Sequence, residues 1–166
     1  MKLVYEKNPT LIAETLPFDF SQDVVDPEEL ARGMLKTMLA ENGIGLAGPQ
    51  VGVQLRVFVM GNKDMSFCCF NPKIIQSSDT LVLMQEGCLS FPNLYMSILR
   101  PDWIEVEYTS MFGDSRTQKF DGVVSRVFQH EFDHLDGILF TSKAKPVALR
   151  MGRQKQKKAN KKTVYA

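Results

Sequence analysis

The sequence predicts an α+β fold in one domain. Helical periodicity is confined to two separated segments, residues 26–42 and 123–135. The stretch between them reads as a block of short strands, and no βα unit repeats, which speaks against a nucleotide-binding crossover fold. A chain of 166 residues suits a single domain. With 44% apolar and 23% charged residues it is neither collagen-like, a disulfide scaffold nor wholly disordered.

The first helix is expected over residues 26–42. Asp26 can cap it, Pro27 suits the first helical position, and Glu29 stands where a capping-box acid belongs. Leu30, Met34 and Met38, with Ala31, Leu35 and Leu39 beside them, form one apolar stripe that reads as core. Asn42-Gly43 stops it. Strands follow over residues 56–60, 66–71, 73–78, 80–85, 103–110 and 116–120. Gly113-Asp114 supplies a turn that makes the last two a hairpin. The second helix, residues 123–135, ends at Gly137 as its C-cap.

Charge divides the chain. The net charge is +1, yet seven bases (Arg150, Arg153, Lys155, Lys157, Lys158, Lys161, Lys162) and no acid lie from Arg150 onward. Residues 1–149 are left with 13 bases against 19 acids, a net of −6. The expected organisation is a catalytic domain over 1–149 followed by a basic tail over 150–166. No apolar run approaches the roughly 18–20 residues that span a bilayer, and the first residues lack a secretory stretch. Three cysteines, Cys68, Cys69 and Cys88, are an odd number and no disulfide framework, which suits a reducing compartment and a cytoplasmic location. Cys68 and Cys69, adjacent in a strand, face opposite sides and read as small buried hydrophobes.

Chemistry concentrates in Gln129-His130-Glu131-Phe132-Asp133-His134. The only two histidines stand four apart, so a helix sets both imidazoles on one face, where they can share a metal. Glu131, beside the first, is placed as general base toward water at such a site. The bland alternative is a helix surface that happens to carry these residues. The apolar flank (Val123, Val124, Val127, Phe128, Leu135) argues instead for a buried helix, whose polar groups need a reason to be there. A third ligand has to come from upstream, because only Asp136 follows His134 closely as an acid and no histidine does. Cys88 in Glu86-Gly87-Cys88-Leu89-Ser90 is the economical choice.

Three segments, Gly43-Ile44-Gly45-Leu46-Ala47-Gly48-Pro49-Gln50, Glu86-Gly87-Cys88-Leu89-Ser90 and Gln129-His130-Glu131-Phe132-Asp133-His134-Leu135, together closely resemble the peptide deformylases over residues 8–140. The resemblance implies antiparallel and mixed sheets packed around a central metal-binding helix. It implies removal of the formyl group from formylmethionyl nascent polypeptides, with release of formate. Cys88, His130 and His134 would hold the metal, Glu131 would move the proton, and Gln50 and the Leu89 backbone N–H would donate to the oxyanion. Fe2+ is the metal the resemblance favours, with Zn2+, Ni2+ or Co2+ as substitutes; imidazole and thiolate ligands by themselves suit zinc or ferrous iron. Main-chain contacts to the peptide fall on Ile44, Gly45 and Gly87, and the methionine pocket on Gly43, Val127, Phe128 and His130.

Around the site, Glu86 and Arg100 are expected either as a brace for the Cys88 loop or as a solvated pair. Asp133 can pair with Arg126 or orient a ligand. Gly48 stands where many relatives have alanine, and Tyr95 where some bacterial members place an arginine. The basic tail is read as a ribosome-docking segment or as a solvated extension; neither sequence-specific nucleic-acid binding nor a membrane partner is expected. The rival functions are a zinc endopeptidase built on the same helix and a binding protein with a purely structural metal.

Overall fold

A computed structural model describes residues 1–22 and 24–164. In chain order its elements are α1 (Pro27–Ala40), β1 (Gly45–Ala47), β2 (Val57–Gly61), β3 (Ser66–Ser77), β4 (Leu81–Cys88) and β5 (Phe91–Pro101). They continue with β6 (Trp103–Thr109), β7 (Ser115–Asp121), α2 (Gly122–Leu135), α3 (Phe140–Lys143) and α4 (Pro146–Val164). Five strands make one antiparallel sheet in the order β1-β2-β3-β6-β7, and β4 pairs with β5 in a second.

Strand β2 shows how the larger sheet serves two helices. Successive side chains leave a strand on opposite faces. Val57 and Val59 join Leu30, Met34 and Met38 of α1 in one core, while Phe58 and Met60 join Phe128 and Leu135 of α2 in another. Cys68 and Cys69 divide the same way, Cys68 against the first core and Cys69 buried in the second. The helix bearing both histidines is thereby held on the face of a rigid sheet. A third core gathers Phe91, Leu94, Met96 and Ile98 of β5 with Leu11 and Phe140.

Local signals fix where the helices begin and end. Asp26 accepts from the N–H groups of Glu28 and Glu29 at 2.8 and 3.2 Å. At the far end Asn42 takes the left-handed conformation (φ 56°), and Gly43 N–H bonds Met38 O at 2.8 Å. Gly137 (φ 67°) closes α2 in the same manner, with Ile138 N–H on Asp133 O at 2.9 Å.

The structure departs from the sequence reading at several elements, the short β1 and α3 among them. Residues 66–71 and 73–78 are not separate strands. Asn71 turns left-handed (φ 48°) and the register slips between Phe70 and Lys73, so β3 continues through a bulge. The Asn71 side chain steadies that bulge through both the N–H and the carbonyl of Phe18, at 2.7 and 2.8 Å. Strand β5, not anticipated, fills residues 91–101. The basic segment is helical, and residue 150 lies within α4. One face of α4 docks on β5 and its approach. Gly152 packs on Met96, Arg153 pairs with Glu6, Gln156 Nε2 donates to Pro92 O at 2.9 Å, and Asn93 donates to Asn160 at 2.9 Å. Of the seven bases, the Lys162 side chain lies outside the described residues, as do Tyr165 and Ala166. No helix among the described residues is long and apolar enough to cross a membrane.

Candidate active site

Cys88 ends β4, and His130 and His134 share one face of α2. Their ligand atoms, one per residue, lie within 4.8 Å of one another, with Cys88 Sγ 3.3 Å from His134 Nε2. Donors bound to one ion at about 2.0–2.3 Å sit roughly 3.3–3.6 Å apart in tetrahedral geometry. The cluster therefore fits a single metal ion. Its chemistry also fits, because Glu86 settles which nitrogen of His130 is free. The Glu86 carboxylate can only accept, and it lies 2.9 Å from Nδ1. Nδ1 thus carries a proton in either charge state of the ring, so Nε2 is the nitrogen that would bond a metal, giving up its own proton on binding.

Glu86 is itself surrounded. Arg100 forks onto both its oxygens at 2.7 and 3.0 Å, and Arg126 Nη1 adds a third donor at 2.9 Å. Arg100 also reaches Asp133 at 2.6 Å. Of the two readings for Glu86 and Arg100, the buried brace is the one present. Asp133 pairs with Arg100 and Lys143 and not with Arg126, which turns toward the strands instead. Burial alone would lift the Glu86 carboxyl, but His130 and Arg100 hold it well below the usual carboxylate range. Burial also opposes charge on His130. The Cys88 sulfur and Glu86 outweigh it, pushing His130 up to about 10. His134 is driven down by burial and by the charge on His130.

Gln50 is fixed from one end. Its Oε1 accepts from Ala47 N–H at 2.8 Å, which leaves Nε2 directed at Cys88 Sγ, 3.4 Å away, and at Ser90 Oγ, 3.3 Å away. Glu131 is buried on α2, and its Oε2 has no hydrogen-bond partner among the described residues. Burial pushes this carboxyl up to about 7, against the pull of His130. Gly45 is what admits it, since a Cβ there would collide with the Glu131 carboxylate.

These groups open onto a cavity of about 700 Å³. Gly43, Ile44 and Gly45 line one side and Gly87, Cys88 and Leu89 another, with Gln50, Val127, His130 and Glu131 also in the lining. Among the described residues β1 pairs only with β2 and β4 only with β5, so each presents an unpaired edge here. Phe128 does not line the cavity and is corrected as a pocket wall. It is fully buried against Phe58, Phe120 and Phe132, one position off the cavity face of α2. The sequence reading missed that Glu86 bonds His130 and that Arg126 lines the cavity while bonding Glu86. An acid two residues before the thiolate and a lone cation in an apolar helical stretch were the available signals.

The family model described as "Polypeptide deformylase" matches residues 1–150. The chain belongs to that family. A peptide deformylase from Prochlorococcus marinus (strain NATL2A) is 43% identical over 120 residues, covering 69% of this chain and 59% of the relative. The match thus spans less than two thirds of that relative's length. Among solved structures, a peptide deformylase from Synechococcus elongatus in complex with actinonin is similar at TM-score 0.87 and 33% identity, covering 93% of this chain and 85% of that one. One from Legionella pneumophila reaches TM-score 0.87 at 30% identity, covering 99% and 98%. The expected α+β fold around a central helix is the deformylase fold.

Proposed function

We propose that this deformylase hydrolyses the N-formyl group of formylmethionyl peptides, releasing formate. The observation that carries the reading is a Cys/His/His cluster at the wall of one cavity, which Cys88 and His130 line together with Glu131, whose buried carboxylate oxygen is unpartnered among the described residues, and Gln50, whose amide lies beside the cysteine sulfur.

Cys88, His130 and His134 would hold the metal, which when bound supplies Lewis acidity toward water and the formyl carbonyl. We take it to be Fe2+, from the family likeness, with Zn2+, Ni2+ or Co2+ able to replace it. Glu131 accepts the proton of the attacking water and delivers it to the amine nitrogen as the C–N bond breaks. The raised affinity of its carboxyl for protons suits both halves of that task. Gln50 Nε2 and the Leu89 backbone N–H donate to the oxygen that turns anionic, each such donor contributing about 3 kcal/mol in the transition state.

The peptide enters as a strand between the free edges of β1 and β4, meeting the main chain of Ile44, Gly45 and Gly87. Such contacts hold a backbone without reading its side chains. Selection falls on the first residue, whose side chain is received by Gly43, Val127 and His130. The Synechococcus relative binds actinonin, and this cavity is expected to take the same compound.

Purified anaerobically, the protein should contain one metal per chain and release formate from formyl-Met-Ala-Ser. Cleavage of internal peptide bonds without formate would instead make it an endopeptidase. Glu131→Gln should keep the metal and lose turnover by about 10²–10⁴-fold; undiminished turnover would leave Glu131 with no catalytic part.

The basic side of α4 we assign to ribosome contact in the cytoplasm, with residues 1–149 as the catalytic domain. Arg153, Gln156 and Asn160 face the body, while Lys155, Lys157, Lys158 and Lys161 remain for phosphates. Replacing those four lysines with glutamate should abolish cosedimentation with ribosomes at low salt; equal binding by both forms would dismiss it.

A further inference from the structure

The larger sheet and the β4–β5 sheet share no ladder among the described residues, so strand pairing does not set Cys88 against the two histidines. A two-stranded sheet is marginal by itself, and this one carries the thiolate at its end. Something must fix its distance from α2. Two guanidinium groups do so from opposite directions. Arg100 reaches from β5 to Asp133 Oδ2 and to Gln129 O on α2. Arg126 reaches back from α2. Its Nη1 donates to Ile98 O of β5 and to Glu86 Oε1 of β4, both at 2.9 Å, and its Nη2 donates to Val82 O of β4 at 2.6 Å.

Glu86 joins the two straps to the ligand set. Its Oε1 receives Arg100 Nε and Arg126 Nη1, and its Oε2 receives Arg100 Nη2 and His130 Nδ1. All four of its lone-pair sites are thereby filled. Two buried acids, Glu86 and Asp133, balance two buried arginines. Removing Arg126 would leave Oε1 a donor short, take a donor from the carbonyls of Val82 and Ile98, and leave Arg100 alone to hold the carboxylate against Nδ1.

We propose that Arg126 is a positioning residue of the metal centre. Its guanidinium clamps β4 and β5, and with them Cys88 and Glu86, onto the helix that carries His130 and His134. The inference rests on the metal-site reading above. The same residue also lines the cavity, so one side chain borders the cavity and holds the ligand geometry behind it. The two duties separate by substitution. Methionine in its place keeps an unbranched stem and removes every donor, whereas lysine keeps the charge and some donors.

The test is metal retention in cobalt-loaded protein, followed by the thiolate-to-cobalt absorption as a chelator strips the ion. Arg126→Met should lose cobalt about 10–100-fold faster than wild type, as expected when an outer partner of a ligand is lost. Arg126→Lys should fall between the two. In the cobalt-loaded state the KM for formyl-Met-Ala-Ser should stay near the wild-type value while kcat falls. Ile104→Val, a core change on β6 away from the cavity, controls for general loosening and should release cobalt at the wild-type rate. Release from Arg126→Met at the wild-type rate overturns the proposal, as does release from Ile104→Val as fast as from Arg126→Met. Should Arg126→Met fail to fold, Arg126→Lys carries the same comparison, and wild-type release from it overturns the proposal. Wild-type protein that takes up no cobalt overturns the metal centre itself. Wild-type protein that binds cobalt yet releases no formate overturns only the proposed activity, and the release rates still judge Arg126.

Discussion

Gln50 works from both ends of one amide. The bond from Ala47 N–H to Oε1 makes the Nε2 end the donor without any search over rotamers. Gln50→Ala should lower kcat about 10²–10³-fold with metal content unchanged, as steady-state kinetics and metal analysis would show. With Glu131 as the proposed base, its carboxyl would set the acid side of the pH profile. Burial places its carboxyl at about 7 in the metal-free protein, and a neighbouring cation favours the ionised form and draws it lower. Activity should therefore rise with pH through an ionisation below 7; a limb above 7 would contradict Glu131 as the base.

His130 makes a second pH prediction, about stability. Its proton affinity is raised from 6.5 to about 10 in the folded metal-free chain. Its stabilising contribution is therefore full below 6.5 and is lost as pH rises through 10, because the folded state then holds a proton that the unfolded state has released. Thermal melts of the metal-free protein should show stability falling over that window by up to about 1.4 kcal/mol per pH unit. With metal bound, Nε2 has no proton to lose and the fall should disappear.

At the scale of elements, legibility followed how local the determinant was. The N-cap at Asp26, the stops at Asn42 and Gly137, and the four-residue histidine spacing are all read within a turn or two of chain, and α1 and α2 lie where they were expected. Strand β5 hid behind Pro92, Asn93 and Pro101, and behind apolar outward residues, Tyr95 and Leu99, that blur its alternation. Arg100 added to the disguise, a core position filled by a charge that distant partners, Glu86 and Asp133, make tolerable. Helix α4 hid for the opposite reason: its docking contacts, Glu6, Pro92 and Asn93, lie far off in sequence. Gly45→Ala tests the contact between β1 and α2. The added methyl should displace the Glu131 carboxylate and cost turnover far more than stability, readable as a kcat loss with little change in Tm.

For the molecule as a whole, the clustering of Cys88, His130 and His134 was legible and the residues around it were not. Cys88, His130 and His134 belong to residue types with few other employments, whereas Arg126 and Glu86 look in sequence like ordinary surface charges. Their meaning appears only once two sheets and a helix are assembled. The near-zero net charge likewise resolves into a body of −6 and a basic helical segment of which Arg153 faces the body while Lys155, Lys157, Lys158 and Lys161 are exposed. Ribosome binding by that helix should weaken steeply with salt, and the lysine-to-glutamate form should lose the dependence.

The free edges of β1 and β4 set a condition on timing. A cleft shaped to be completed by one extended strand admits only a chain terminus that has not yet committed its own hydrogen bonds. Once a new protein's first residues are taken into a helix or a sheet of their own, that cleft has nothing left to pair with. If the chain acts as proposed, folding of the substrate and hydrolysis of its first amide would compete for the same few backbone groups, and hydrolysis would have to come first.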